Sequence, residues 1–181
     1  MNSLWRWYCL LGLFIFVSCA QAEVYFSEAQ VNALLAPGKV LVERKIVVDK
    51  PLLKSIKKQT TARLNTRQLK VWELQQDNAQ AGWIFHHQVL GKHENIRYAL
   101  AIDDSGRITG MEVMEYRETH GGEVRGNAWR AQFFSMSLGD RFKLGDDIDN
   151  ISGATLSCRH LADGVHGLLI LYDQLLRNNP A

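Results

Sequence analysis

The sequence predicts an α+β fold: an antiparallel sheet with helices packed on one face, one of them a long C-terminal helix. Short runs of alternating apolar residues, separated by turn residues, follow one another between residues 82 and 118, as in a meander of antiparallel strands. From residue 158 to 176 the apolar residues instead recur at spacings of three and four, which is typical of an amphipathic helix. At 181 residues, 46% of them apolar, the chain suits one domain with its own core.

The region between residues 23 and 81 shows two helix patterns and two strand patterns. Ser27 and Gln30 have the spacing of a capping box ahead of a short apolar face, so a first helix is expected there. Pro51 marks the expected start of a second helix, in PLLKSIKKQT. The alternating stretches KVLVERKIVVD and RQLKVWELQ are expected to be strands.

The meander is expected in three strands, GWIFHHQVLGK, NIRYALAID and RITGMEVMEYRE, the last two joined by a turn at 104–106. A glycine-rich stretch at 120–126 follows, then a helix expected around NAWRAQFFSMS and a loop at 138–150. We interpret the apolar stripe of the C-terminal helix as core rather than as a cofactor site. Its members are Cys158, Leu161, Ala162, Val165, Leu168, Leu169, Tyr172, Leu175 and Leu176.

Residues 1–22 have the layout of a secretory signal peptide. Arg6 precedes an apolar run at 9–17, and the small-residue tripeptide AQA ends at Ala22. Cleavage after Ala22 is expected, which would place the protein in the periplasm or on the outer side of the cytoplasmic membrane. Two alternatives stay open. The run could remain as a membrane anchor, although it is shorter than the ~20 residues that a spanning helix needs, or the FVSC segment could be lipidated at Cys19.

Charge and cysteine content exclude several classes of protein. Loss of the leader would leave 20 basic against 19 acidic residues, because it removes Arg6, and this balance argues against nucleic acid as a partner. Cys158 would be the one remaining cysteine, so no internal disulfide is expected. The sequence has no C-x-x-C-H for attached haem and no paired C-x-x-C. The six histidines show no metal-binding spacing, so no tight metal site is expected.

The stretch DNISGATLS, at 149–157, stands immediately before the C-terminal helix. Thr155 falls in or just ahead of the first turn, where backbone N–H groups lack intrahelical acceptors and the helix dipole favours an anion. Gly153 would let the backbone approach a ligand closely. A phosphate group fits such a position. The alternative is that Ser152 or Thr155 serves only as the N-cap of the helix.

The string DNISGATLS resembles the flavinylation motif of the FMN-binding domain family. This family includes the C subunit of the sodium-pumping NADH:quinone oxidoreductase, the G subunit of the Rnf complex and small exported flavoproteins. The meander, the loop after it, and the motif followed by a helix occur in the order and spacing of that domain over about residues 82–176. The resemblance therefore implies an FMN-binding domain at 82–181. Residues 23–81 would be an N-terminal part of the mature domain, without a recognisable family signal.

The resemblance implies a covalent cofactor. In this family a flavin transferase uses FAD as donor, with a divalent metal, and joins FMN through its phosphate to the threonine hydroxyl of the motif, here Thr155. The neighbouring motif residues would be recognised by the transferase and then form the bed of the phosphate: Asp149, Ser152, Gly153 and Ala154. Leu156 and Ser157 follow the attachment site and are expected to contact the flavin.

A second loop of the family is expected near the isoalloxazine ring. Here it reads ETHGG, at 118–122, with His120 where relatives usually have proline. The resemblance makes Glu118 and Thr119 candidate flavin contacts. The alternative is an ordinary turn after a strand.

These features favour an exported electron carrier with one tethered FMN that exchanges electrons with a redox donor or acceptor protein at the membrane. No substrate site with a placed acid or base is recognisable, so a carrier or redox subunit is favoured over a complete enzyme. The alternative is a non-redox binding module of the same fold, with a non-covalent ligand or a protein partner. Trp129 is expected in the core, or alternatively beside the flavin ring, and Cys158 is expected to be packed rather than reactive.

Overall fold

The computed structural model describes residues 23–60, 64 and 68–177. The strands are β1 (Glu23–Val24), β2 (Val40–Val47), β3 (Gln68–Gln76), β4 (Ala79–Leu90), β5 (Asn95–Ile102) and β6 (Ile108–Tyr116). The helices are α1 (Glu28–Leu35), α2 (Lys50–Gln59), α3 (Asn127–Ala131) and α4 (Thr155–Leu175), with a 3₁₀ turn at Gly122–Arg125. The expected leader, with Cys19, lies outside the described residues.

The six strands form one antiparallel sheet in the order β1-β6-β5-β4-β3-β2. From β2 to β6, each strand pairs with the next one along the chain, which confirms the meander and the two strands predicted before it. The short β1 pairs with the outer edge of β6. Asp77 and Asn78 join β3 to β4 with φ angles of 53° and 61°, the left-handed conformation of a two-residue hairpin turn.

Helix α4 covers one face of the sheet. Leu161 and Val165, from its predicted apolar stripe, are fully buried in a core that also contains Phe85 of the sheet. Gly164 permits the close packing, since a Cβ there would lie 2.6 Å from Oη of Tyr98. Residues of α2 and α3 belong to the same core. The predicted α+β class and the long C-terminal helix are therefore confirmed.

Helix α1 lies over the opposite face of the sheet. Val31 packs there in a second core with Trp72 and Ile84, which point away from Val71 and Phe85 because side chains alternate along a strand. The sequence predicts helices on one face of the sheet, so α1 is the exception. Amphipathic spacing shows that a helix has an apolar side but does not show which face of a sheet that side will cover.

The two N-terminal helices begin as the sequence predicts. The N–H of Gln30 donates to Oγ of Ser27, and the N–H of Ser27 donates to Oε1 of Gln30, which completes the capping box of α1. Helix α2 has Asp49 as its N-cap, with Pro51 in its first turn.

Helix α3 is shorter than predicted, because it ends at Ala131 rather than continuing through residue 137. Ser135 has a φ of 67°, which a right-handed helix cannot contain. The N–H of Ser135 donates to the carbonyl oxygen of Ile108, and the N–H of Ile108 donates to that of Met136. Pairing with the start of β6 therefore replaces the last turns of the expected helix.

Candidate functional site

Helix α4 begins at Thr155, and none of the described side chains caps its first turn. Ala154 is the N-cap residue, and the N–H of Cys158 donates to its carbonyl oxygen at 3.0 Å. Within the described residues, the N–H groups of Thr155, Leu156 and Ser157 have no acceptor. Three free donors at the positive end of a 21-residue helix favour an anion.

The segment before α4 is held in place by two side chains from the region of α3. Nε1 of Trp129 donates to the carbonyl oxygen of Asp149 at 2.8 Å, and the N–H of Asp149 donates to Oε1 of Gln132 at 2.8 Å. Trp129 lies in the core, as predicted, with 5% of its surface exposed. The backbone of Asp149 is thus fixed on both sides while the residue itself stays exposed.

Gly121 and Gly153 both have left-handed backbone conformations, with φ angles of 84° and 79°. A Cβ on Gly121 would lie 2.1 Å from Cβ of Ala154, so the 118–122 loop packs directly against the N-cap residue of α4. A Cβ on Gly153 would meet nothing within 4 Å. The Tyr116 hydroxyl donates to the carbonyl oxygen of His120 at 2.5 Å and holds the loop from the sheet side.

A cavity of about 480 Å³ opens beside the start of α4. The residues around it come from the turn between β4 and β5, the loop after β6 and the first turn of α4. They are Lys92, His93, Glu118, Thr119, His120, Gly153, Ala154, Thr155, Leu156 and Ser157. Leu156 is 41% exposed, which is high for a large apolar side chain. The structure therefore brings the start of α4 and the 118–122 loop together, although they are distant in the chain.

Two of the predicted site residues, Asp149 and Ser152, do not line this cavity. Ser152 instead lines a broad depression of about 890 Å³ on the other side of the 118–122 loop. Conversely, Lys92 and His93 line the cavity although the sequence analysis did not select them. They carry no motif, and only the pairing of β4 with β5 and β6 brings their turn to the start of α4.

The Glu118 carboxylate holds the turn between β4 and β5. Its Oε1 accepts hydrogen bonds from the N–H groups of His93 at 2.6 Å and Glu94 at 2.9 Å. Burial acts to raise the pKa of Glu118, but the hydrogen bonds from backbone N–H groups of the turn outweigh burial, so the pKa is lowered. A Cβ on Gly91 would lie 2.5 Å from Oε1 of Glu118, so the glycine makes room for the carboxylate.

Ser157 and Cys158 face the interior rather than the solvent. Ser157 is 2% exposed. Cys158 is fully buried, and burial raises the pKa of its thiol, which disfavours the reactive thiolate. This agrees with the prediction that Cys158 is packed. Ser157 therefore serves as a buried wall of the cavity.

The histidines of β4 point to opposite faces of the sheet. His86 hydrogen-bonds to Asn32 at 2.7 Å on the α1 side, and His87 to Tyr98 at 3.1 Å on the α4 side. Among residues 23–60, 64 and 68–177, no group of three or more His, Cys, Asp or Glu residues is placed to hold a metal ion. In the same ranges, no helix has both the length and the apolar character needed to cross a membrane.

Comparison with known proteins identifies the region around the cavity. Residues 91–169 match the family model of the FMN-binding domain. This part of the chain is similar to the FMN-binding domain family. The matched segment runs from the turn that Glu118 holds, through the 118–122 loop, into α4, so it contains every residue that lines the cavity. The family resemblance predicted from the sequence is thus confirmed.

Two further proteins are similar to this chain. The G subunit of the ion-translocating oxidoreductase complex of Shewanella amazonensis is 32% identical over 91 residues, a match that covers 44% of this chain and 42% of that relative. The chain therefore spans less than half the length of this curated relative. The crystal structure of Shewanella oneidensis NqrC matches with a TM-score of 0.50 at 19% identity, over 74% of this chain and 65% of that chain. The second match shows a shared fold.

Proposed function

We propose that this chain is an exported electron-transfer protein that carries FMN covalently, through the FMN phosphate, on Oγ1 of Thr155. The observation that carries the proposal is the position of this hydroxyl: Thr155 is exposed, lines the cavity, and begins a helix whose first three N–H groups have no acceptor among the described residues. A phosphodiester keeps one negative charge. Backbone donors and the helix dipole stabilise that charge at this position.

Attachment requires a flavin transferase, with FAD as the donor and a divalent metal. Oγ1 of Thr155 forms a bond to the phosphorus of the FMN half, the P–O bond to the AMP half breaks, and the hydroxyl proton is released together with AMP. The protein gains the mass of FMN less one water. Residues 149–154, held by Trp129 and Gln132, present the motif to the transferase and then support the phosphate.

The bound flavin supplies reversible electron transfer, and the chain supplies its attachment and surroundings. The relative from Shewanella amazonensis is part of an oxidoreductase complex, which supports a redox donor or acceptor protein at the membrane as the partner of this chain. The exposed Leu156 lies at the cavity, so a flavin there would be accessible to such a protein. These features favour an electron carrier over a complete enzyme.

The proposed location follows from the layout of residues 1–22, which favours export to the periplasm or the outer side of the cytoplasmic membrane. Lipidation at Cys19 is the alternative processing route. Either route places Thr155 where an exported flavin transferase reaches it.

The decisive experiment is the intact mass of the exported protein, produced with and without a flavin transferase. We expect the mass of FMN less one water only with the transferase, on the peptide that contains Thr155, together with flavin absorbance that survives denaturation. A colourless wild-type protein produced with an active transferase would favour the non-redox binding module instead.

Three variants identify the attachment atom. Thr155→Val keeps the β-branched shape and removes the hydroxyl, so we expect a folded protein without flavin. Ser152→Ala, at an exposed neighbour, and Ser157→Ala, at a buried one, should both retain the flavin. Flavin mass on Thr155→Val would show that a different residue is modified.

A further inference from the structure

The cavity beside α4 is the one next to the proposed attachment site. Thr155 lines this cavity of about 480 Å³, together with Lys92 and His93 of the turn between β4 and β5. The broad depression on the other side of the 118–122 loop is lined by Ser152 but not by Thr155. Under the proposed function, the flavin ring therefore lies on the side of the 91–94 turn.

The 91–94 turn is closed by two sets of hydrogen bonds. The N–H of Gly91 donates to the carbonyl oxygen of Glu94 at 2.7 Å. The Glu118 carboxylate accepts from the N–H groups of His93 and Glu94. Lys92 and His93 are both exposed, and both residues line the cavity. The Oε1 atom of Glu118 thus contacts the turn, and the turn contains a basic residue, Lys92, that lines the cavity.

We propose that Glu118 is a positioning residue that holds the 91–94 turn, so that the Lys92 ammonium in the cavity wall stabilises the reduced flavin and raises its reduction potential. This inference rests on the proposed function. It differs from the role that the family resemblance implied for Glu118, a direct flavin contact, and it assigns a role to Lys92, for which the sequence showed no signal.

The physical basis is a charge balance. Reduction of FMN by two electrons and one proton adds one negative charge to the ring, so a cation in the cavity wall favours the reduced form. Glu118 is also ionised, because hydrogen bonds from the turn outweigh its burial and lower its pKa. Its charge is directed at backbone N–H groups of the turn. A positioning role and a direct electrostatic role for Glu118 therefore predict opposite signs of the potential shift when its carboxylate is removed.

The test for Lys92 is the midpoint potential of the flavin in the loaded protein, measured by spectroelectrochemical titration. Lys92→Gln should weaken the preference for reduced flavin by about tenfold, which is about 30 mV toward negative potential for a two-electron couple. Lys92→Arg, which keeps the charge, should stay near the wild-type value. Lys45→Gln makes the same change of charge on the exposed side of strand β2 and should leave the potential unchanged.

The test for Glu118 combines the potential with amide hydrogen exchange. Glu118→Ala should speed exchange at the N–H groups of His93 and Glu94 in the flavin-free protein, and it should shift the potential negative like Lys92→Gln. Glu118→Gln keeps an acceptor oxygen, so the turn should stay protected and the potential should remain at or above the wild-type value. The double variant Lys92→Gln/Glu118→Ala should shift no further than Lys92→Gln alone.

The outcomes separate this inference from the proposed function. If the wild type carries flavin but Lys92→Gln leaves the potential unchanged, the role of Lys92 is wrong and the proposed function stands. If Glu118→Ala raises the potential, Glu118 acts on the flavin directly through its own charge, and the positioning role is wrong. If the wild type carries no flavin on Thr155, the proposed function fails and this inference fails with it.

Discussion

The indole N–H of Trp129 donates a 2.8 Å hydrogen bond to the carbonyl oxygen of Asp149. Trp129 lies in short helix α3, and Asp149 is the first residue of the DNISGATLS motif. This one bond joins the core to the segment that precedes Thr155. The geometry of the motif is therefore set from outside it, by a side chain twenty positions earlier in the chain.

Trp129→Phe should impair flavin attachment without unfolding the protein. The variant removes the donor to Asp149 and leaves a ring in the core, so we expect a loss of about 1–2 kcal/mol in the free energy of unfolding and a lower yield of flavinylated protein. The matched control is Trp83→Phe, because Trp83 is buried and its indole N–H has no partner among the described residues. Equal flavin yields from the two variants would contradict a role for the Asp149 bond. Denaturant unfolding measures the free energy of unfolding, and intact mass measures the yield of flavinylated protein.

Gly121→Ala should destabilise the protein more than Gly153→Ala. Both positions have positive φ angles, so each alanine meets a backbone penalty of about 1–2 kcal/mol. Only at Gly121 would the new Cβ also collide with Ala154, at 2.1 Å. We expect Gly121→Ala to lower the free energy of unfolding by at least about 1 kcal/mol more than Gly153→Ala does, as measured by denaturant unfolding. If Gly121→Ala and Gly153→Ala unfold at the same denaturant concentration, the predicted collision between a Cβ at position 121 and Ala154 is contradicted.

Stability should fall between about pH 6.5 and pH 4. Burial lowers the pKa of His87 to about 4 in the folded state, whereas an unfolded histidine binds its proton near pH 6.5. The contribution of neutral His87 is therefore complete above pH 6.5, decreases as the pH falls through this window, and stays constant below about pH 4. We expect the loss of this contribution to lower the free energy of unfolding by about 2 kcal/mol. This is less than full burial of His87 would imply, because the residue is not fully shielded from solvent.

His87→Gln should flatten this pH dependence in part. Burial also lowers the pKa of His86 to about 4, so His86 continues to contribute in the variant. His120→Gln is the matched control, because it makes the same substitution at an exposed position. Urea unfolding at pH steps of half a unit measures how the free energy of unfolding changes with pH. Parallel curves for the wild type and His87→Gln would contradict the effect.

The mature protein should begin at Glu23. The basic residue, apolar run and small-residue tripeptide at 1–22 predict cleavage after Ala22. Terminal sequencing and mass of the exported protein test this. A product that retains Met1, or one that begins with a lipidated Cys19, would show a different processing route.

Local patterns predicted β2 to β6, because alternation along a strand directly reflects which side chains meet the core. Helix α4 was predicted in the same way, because its apolar residues recur at spacings of three and four and form the buried stripe. Helix α3 is the counterexample: the local pattern continues to residue 137, yet the helix ends at Ala131 because Ser135 and Met136 exchange backbone hydrogen bonds with Ile108. These hydrogen bonds join residues that are far apart in the chain, so a short stretch of sequence around α3 does not contain both partners.

By itself, the sequence predicted the fold class, the resemblance to the FMN-binding domain and the candidate site residue Thr155, because these depend on short-range periodicity and on a contiguous motif. Only the tertiary structure shows which groups Glu118 contacts and that Lys92 lies at the cavity. A carboxylate acts on whichever donors are nearest, and the pairing of β4, β5 and β6 brings the N–H groups of the 91–94 turn to Glu118. Folding therefore brings the Glu118 carboxylate to the 91–94 turn and places Lys92 at the cavity.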